Sequence, residues 1–349
     1  MKAWELRDWG LDNLVLTERP QPRPGPGQVV IRVHAASLNS RDLQVIYNKY
    51  DPDQRLPIVP GSDGVGTIVE VGDGVERVGV GDRVTGVFAQ HWTAGERSWE
   101  RWLSHLGGHY DGMLQEYALL ESEGVVAVPA YLNDEAAAAA TVAAATAWQA
   151  LVVQGGLQPG QDVLVQGTGG VSLFALQFSL LAGARVFVTS SSDEKIARAS
   201  ALGAAGGVNY ASTPDWGQAV LDLTDGVGVD HVIENAADLD QSVAALKTGG
   251  LVSLVGYLTQ LDVASPEPPA YRYELGVLPA LLKNVRIQGI SAAPRESYES
   301  MYRAMDAARL EPVVDRVFPF EEAAQALEFM RDSSYFGKLC VGIAGRSAS

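Results

Sequence analysis

The chain has 349 residues, 47% of them hydrophobic and 19% charged, an ordinary globular composition for about two domains, at most three. Lys and Arg total 26 against 42 Asp and Glu, a formal net charge of −16, so neither nucleic acid nor an anionic membrane surface is an expected partner. The single cysteine, Cys340, excludes a disulfide within the chain and any zinc site that needs two thiolates.

Met1 to Glu5 are not followed by the apolar core of a signal peptide, and a cytoplasmic protein is the expectation. The first 125 or so residues read as strands and turns. Gln28 to Ala36 partly alternates in the strand manner and is entered from a Pro/Gly run, Arg19 to Gly27. Gly64 to Val71 is a second β-rich run, and Val75 to Val87 holds a glycine turn followed by a strand. So many glycines between short β segments predict a small, strongly bent sheet or barrel. Ala136 to Val153 is the longest uncharged stretch, long enough to raise the question of a membrane span. Alanine is only weakly apolar, and Thr141, Thr146 and Gln149 interrupt the run, so a buried helix is expected, capped by Asn133 or Asp134.

From about residue 130 strand and helix alternate. Asp162 to Gln166, Arg185 to Thr189, Val208 to Tyr210, Asp230 to Ile233, Leu251 to Val255 and Val285 to Ile290 read as strands. Val171 to Ala182 and Asp193 to Leu202 read as helices between them. This rhythm predicts an α/β domain with a doubly wound parallel sheet. The remainder is expected to hold one helix, Phe320 to Arg331, and a last strand, Lys338 to Ile343.

The first strand of this set opens into Gly167-Thr168-Gly169-Gly170-Val171-Ser172, followed by a helix and a second strand. That is the context of a dinucleotide fingerprint. Gly167 permits a tight turn, and Gly169 lets the backbone of Thr168, Gly170 and Val171 approach a pyrophosphate at the helix N-terminus. Ser172 replaces the third glycine and is small enough for close helix–strand packing. The second strand ends in Thr189, Ser190, Ser191 and Ser192, with no acidic residue before Asp193 and with Lys195 one turn later. Hydroxyls and a lysine suit a 2′-phosphate, which predicts NADPH in preference to NADH; the alternative is a serine N-cap and a solvated lysine.

Gly27 to Asp42, Pro60 to Gly72, Gly79 to Val84, Thr146 to Trp148, the turn at Gly167 and Tyr335 to Lys338 together resemble the medium-chain dehydrogenase/reductase superfamily over essentially the whole chain. The resemblance implies a GroES-like catalytic domain over residues 1–126, a Rossmann domain over 127–291 and a return to the first domain over 292–349. The zinc branch of that superfamily carries ligands at places that here fall near Ser37, at Ser62-Asp63 and at about Val142. The chain is therefore similar to the zinc-independent branch of quinone oxidoreductases and related enone and alcohol-type reductases, and no metal is expected. Without a Lewis acid an aliphatic alcohol resists becoming an alkoxide, whereas a quinone, enone or reactive carbonyl delocalises incoming charge. The expected function is NADPH-dependent reduction of such a small molecule. A metal-free alcohol dehydrogenase acting on benzylic or allylic alcohols, and a non-catalytic NADPH-binding protein, are the alternatives.

The same resemblance places Asn39 near the nicotinamide and the acceptor oxygen, the alternative being a turn residue after the strand, and Tyr50 at the substrate entrance, either simply lining the pocket or acting as an orienting group or proton donor. Asp42 is expected to cap a helix. Thr146, Tyr210, Gly256, Tyr257, Ile290, Ser291 and Lys338 are candidate cofactor contacts, several of them at C-terminal strand ends where open α/β sheets bind ligands. Ala236-Ala237 stand where relatives have glycine. The insert Gln90 to Gly112 is rich in aromatic residues and reads either as a loop packed on the catalytic domain or as a substrate lid. A metal site at its histidines is not expected, because Gly107-Gly108 keeps His105 and His109 off one helical face. A homodimer through the sheet edge near Val285 to Ile290 is expected from the resemblance.

Overall fold

The computed structural model describes residues 1–51, 53–235, 238–256, 273–331 and 335–343. They fall into two compact units, one built from residues 1–145 and 292–343, the other from 146–256 and 273–291.

The first unit opens with a hairpin, β1 (Lys2–Leu6) and β2 (Leu14–Glu18). Its long central strand β3 (Gln28–Leu38) has Val29, Ile31 and Val33 at period two, the spacing that sends them to one face, where they join the main core. Helix α1 (Ser40–Ile46) follows at once. Then come β4 (Asp63–Val71), β5 (Arg83–Gly86), the short helix α2 (Trp99–Trp102), β6 (Tyr117–Glu121) and β7 (Val125–Ala127). Strands β4 and β6 both pair with β3 in antiparallel fashion.

The alanine run does not form one helix. Asn133 caps α3 (Asp134–Ala139), its side chain accepting from the Ala136 N–H at 2.8 Å. The helix stops at Ala140, and a second, α4 (Val142–Trp148), continues into a π-helical turn, Gln149–Val153. Thr141 explains the break: its hydroxyl donates to the Ala138 carbonyl at 2.8 Å, competing with the helical ladder. Helix α3 packs on β3 and β4. Residues 127–145 therefore belong with the first unit, and the boundary lies nearly twenty residues beyond the 126/127 expected from the sequence.

The second unit is a six-stranded parallel sheet: β8 (Asp162–Gln166), β9 (Arg185–Ser190), β10 (Gly206–Asn209), β11 (Val229–Glu234), β12 (Leu246–Leu254) and β13 (Arg286–Gly289). The connecting helices include α5 (Gly170–Leu181), α6 (Asp193–Ala201), α7 (Trp216–Leu223), α8 (Leu239–Ala245) and α9 (Val277–Leu282). The spatial order is β10-β9-β8-β11-β12-β13, so the winding reverses between β8 and β11, the switch point where such sheets bind nucleotides. Strand β11 is buried along its whole length, as a central parallel strand covered on both faces must be.

The chain then completes the first unit with α10 (Arg295–Ala308), β14 (Val314–Pro319), α11 (Ala323–Arg331) and β15 (Lys338–Gly342). Helix α10 and strand β14 were not expected from the sequence. The signal for α10 was present: Tyr298, Met301, Tyr302 and Met305 recur at helical spacing and are buried. Strand β15 lies antiparallel to β3 with Leu339 opposite Leu38, which sets Lys338 beside Asn39. Among the described residues no helix is long and apolar enough to cross a membrane.

Candidate functional site

In the second unit, Gly167 has φ +74°, a conformation glycine adopts without strain, and turns the chain out of β8 into α5. Gly169 precedes α5, and no side chain caps that helix, so its first N–H groups are left for a ligand. A Cβ built on Gly169 would meet nothing within 4 Å, so open space lies in front of the turn. Thr168 is buried, and Gly170 and Val171 are half-buried. These residues fit the pyrophosphate of a dinucleotide.

Ser172 does more than pack closely. Its hydroxyl donates to the Gln166 carbonyl at 2.7 Å and accepts from Asn235 Nδ2 at 3.2 Å. Gln166 in turn accepts from the Asn235 N–H at 3.1 Å and donates to the buried Glu234 at 2.9 Å. This network fixes the ends of β8 and β11 across the switch point. Asn235 was missed by the sequence reading; its position directly after a central strand was the available signal.

At the end of β9, Ser190 is buried and Ser191 exposed. Ser192 caps α6, its hydroxyl accepting from the Lys195 N–H at 3.3 Å. The Asp193 carboxylate accepts from Asn209 Nδ2 at 2.8 Å. Tyr210 follows β10, with its N–H donating to the Ser190 carbonyl at 3.0 Å and its side chain exposed. Gly256 is buried after β12, and the Ile290 N–H donates to the Leu254 carbonyl at 2.9 Å, with Ser291 next to it. Thr146 is buried in α4. Tyr257 and Ala236-Ala237 lie outside the described residues.

The first unit holds a second constellation. Lys338 is buried, and its ammonium donates to the Leu38 carbonyl at 2.7 Å, to Asn39 Oδ1 at 2.7 Å and to Asp63 Oδ2 at 3.2 Å. All three N–H donors are thus used inside this unit, which leaves none for the nucleotide contact expected of it. Asn39 Nδ2 donates to Ser62 Oγ at 3.2 Å. Ser62 also stands 3.4 Å from the fully buried Asp42; Asp42 is the third residue of α1 rather than its N-cap, which is Asn39, and it accepts from the Asn39 N–H at 2.8 Å as the acidic member of a capping box. Burial pushes the Asp42 carboxyl up to about 6, against the pull of the neighbouring Arg41 charge.

Arg41 donates to the carbonyls of Leu106 at 3.0 Å and Gly107 at 3.3 Å and lies over the Tyr50 ring at 4.2 Å. Burial raises the Tyr50 phenol above its ordinary value despite Arg41, so the phenol keeps its proton at neutral pH. Tyr50, Trp102 and Val142 pack against Phe88, Ala89, Trp92 and Ala292. The insert is therefore packed on its own unit, with Trp92 buried and Trp99 exposed.

Residues 25–130 match the family described as alcohol dehydrogenase GroES-like domain, and residues 170–307 the family described as zinc-binding dehydrogenase. The chain is 40% identical over 339 residues to a zinc-type alcohol dehydrogenase-like protein of Schizosaccharomyces pombe, covering 96% of each. It belongs to the medium-chain dehydrogenase/reductase superfamily. The chain is also 28% identical to an acryloyl-coenzyme A reductase of Metallosphaera sedula, over 92% of this chain and 94% of that one. A crystal structure of a putative alcohol dehydrogenase from Sinorhizobium meliloti superposes with a TM-score of 0.89 at 38% identity, covering 98% of both chains. The protein is an oxidoreductase of this superfamily.

Zinc is the metal these names imply, and the superfamily's ligand places can be tested for it. The Val142 N–H donates to Asp63 Oδ1 at 3.2 Å, so the third place does converge on the second. Asn39, rather than the expected Ser37, stands beside Ser62; Ser37 lies opposite Asp63 and Cys340 in the sheet. The groups gathered there are an amide, a hydroxyl, a carboxylate and a backbone N–H, with no thiolate or imidazole. The Lys338 ammonium already holds the carboxylate and the amide oxygen. A divalent cation placed there would face that positive charge. These residues do not fit zinc.

Proposed function

We propose that the protein is a reductase that uses NADPH to reduce a quinone, an enone or a reactive carbonyl, with no metal at the superfamily's ligand places. The observation that carries this reading is the Lys338 ammonium on Asn39 and Asp63 where a zinc centre would need anionic or imidazole ligands. The nicotinamide, when bound, supplies the hydride. The open turn at Gly167 to Val171 holds the pyrophosphate. Lys338 and Ser62 together fix the Asn39 amide, its oxygen accepting and one N–H donating. Its second N–H polarises the acceptor oxygen as charge builds there. Tyr50 keeps a phenolic proton and is the candidate donor to the reduced product.

An electron-poor alkene or quinone accepts hydride with only such hydrogen-bond help, because the incoming charge is delocalised. An α,β-unsaturated acyl thioester is the kind of acceptor named for the Metallosphaera sedula relative. The preference for NADPH rests on Ser190, Ser191 and Lys195, and on Asp193 being held by Asn209 rather than left for a ribose hydroxyl.

The test is steady-state kinetics with NADPH and NADH across quinones, enones, aldehydes and benzylic alcohols, each with and without a chelator. NADPH-dependent reduction that survives the chelator is expected. Lys195→Ala should raise the NADPH KM about tenfold and leave NADH unchanged, as loss of one charged contact to phosphate would. Turnover only with alcohols overturns the reading.

A further inference from the structure

The insert brings together two histidines that the sequence reading kept apart. His105 and His109 flank the Gly107-Gly108 turn and converge with Asp51, which follows α1 in the chain. One ligand atom from each of Asp51, His105 and His109 lies within 4.8 Å of the other two. The convergence needs no helix. Gly107 has φ +63°, and the bridge between Ala89 and His105 folds the insert back on itself.

The three side chains are set up differently. His105 Nδ1 lies 2.9 Å from the Trp102 carbonyl, an acceptor only, so this nitrogen carries the proton and Nε2 carries the lone pair. Metal-ligating histidines are oriented in this way, by a carbonyl on the far nitrogen. His105 is fully buried, yet its Nε2 has no hydrogen-bond partner among the described residues. Only a glycine fits at 108: a Cβ there would come within 2.1 Å of that nitrogen. An unpaired acceptor in the interior has given up its hydration with nothing in exchange.

His109 Nε2 stands 2.8 Å from Asp51 Oδ2, and the two imidazole rings are perpendicular with centroids 5.0 Å apart. Burial works to raise the Asp51 carboxyl, but the Asp53 N–H and the His109 ring outweigh it and hold it below its ordinary value, so it is ionised at neutral pH. Burial, together with Arg41, keeps His105 neutral. One carboxylate and two imidazoles are a donor set for a borderline divalent metal.

We propose that Asp51, His105 and His109 form a site for a divalent transition metal of the zinc class, separate from the superfamily's ligand places at Asn39, Ser62 and Val142. The cation is held by one ligand atom from each of the three side chains, which lie within 4.8 Å of one another. The proton shared by that pair moves to His109 Nδ1 or to solvent as the metal enters. Arg41 lies close by, but its charge is met by Asp42 and two carbonyls. It still opposes a dication, so the affinity falls below that of a thiolate site. The bound ion would clamp the insert to the segment after α1.

The experiment is a titration of the chelator-treated, tag-free protein with Co2+ alone, read by ligand-field absorption, with thermal melting in Zn2+ alongside. One equivalent of Co2+ should give the visible bands of a low-coordinate N/O site, and Zn2+ should raise the melting temperature. His109→Gln and Asp51→Asn should each weaken Co2+ binding at least tenfold and abolish the Zn2+ shift. Ser62→Ala should change neither. Far-UV circular dichroism of His109→Gln, whose ring is partly exposed, establishes that the variant is folded. Absence of bands in the parent protein, bands that persist in both ligand variants, or bands lost in Ser62→Ala overturn the proposal.

Discussion

Lys338 and Asp63 are both buried, and each is the other's countercharge. Replacing Lys338 with methionine removes one charge of the pair and leaves an ionised carboxylate in the interior. A loss of about 3–5 kcal/mol is expected, measured by urea denaturation. The double variant Lys338→Met/Asp63→Asn should regain most of it, since no charge is then stranded; a single variant as stable as the parent would show that the pair is not buried in solution. Asp42 carries the opposite lesson about pH. Its carboxyl is raised from 3.8 to about 6, so its contribution to stability is complete below about 3.8 and is lost as pH rises through 6. The shift corresponds to roughly 3 kcal/mol at most. Asp42→Asn should therefore gain stability relative to the parent as pH rises from about 4 to about 6, and hold that gain above it. A stability gap that stays flat across that window refutes the assignment. Neither group's environment was legible in the sequence. A helix start near Asp42 is readable from the sequence, though its N-cap is Asn39, but the partner of Lys338 follows a strand about three hundred residues away, brought alongside by the β3–β15 register. Local spacing carries no information about that pairing.

At the scale of elements, the turn between β8 and α5 separates binding from folding. Gly169 has an ordinary negative φ and open space where a Cβ would stand. Gly169→Val should leave the melting temperature nearly unchanged and weaken nucleotide binding at least tenfold, followed by NADPH fluorescence; unchanged binding would remove the turn from the site. Gly167, at φ +74°, behaves differently: Gly167→Ala should cost about 1–2 kcal/mol of stability before any effect on ligand is counted. The parallel sheet was legible because its strands are short apolar runs punctuated by glycine, and the structure keeps Asp162–Gln166 as read. The alanine run was misread because helix propensity says nothing about a threonine that bonds its own preceding turn, as Thr141 does. The histidine cluster was misread for a related reason. Helical spacing is only one way for two histidines to meet, and here a glycine turn does it in the loop.

For the whole molecule, no strand among the described residues pairs with the outer side of β13 in the second unit. Strand β13 is exposed along its length, and the helix before it, α9, shows Val277, Leu278, Leu281 and Leu282 at 65–71% exposure. A bare edge strand beside such an apolar face is a liability that soluble proteins cover. We infer that a second copy of the chain covers it. Two β13 edges related by a two-fold axis pair antiparallel, so the same patch serves both partners and the contact closes at a dimer rather than growing into a fibre. Charge does not forbid this. At −16 the copies repel through solvent, but over a Debye length of about 8 Å at physiological salt that repulsion is screened, while the apolar contact is not. Raising the salt should therefore tighten the dimer. Sedimentation velocity should give twice the chain mass at micromolar concentration, and Leu281→Asp/Leu282→Asp should give monomers that keep their circular dichroism, because both side chains lie outside the fold. A parent protein that sediments as a monomer at high salt, or a double variant that remains dimeric, would place the partner surface elsewhere.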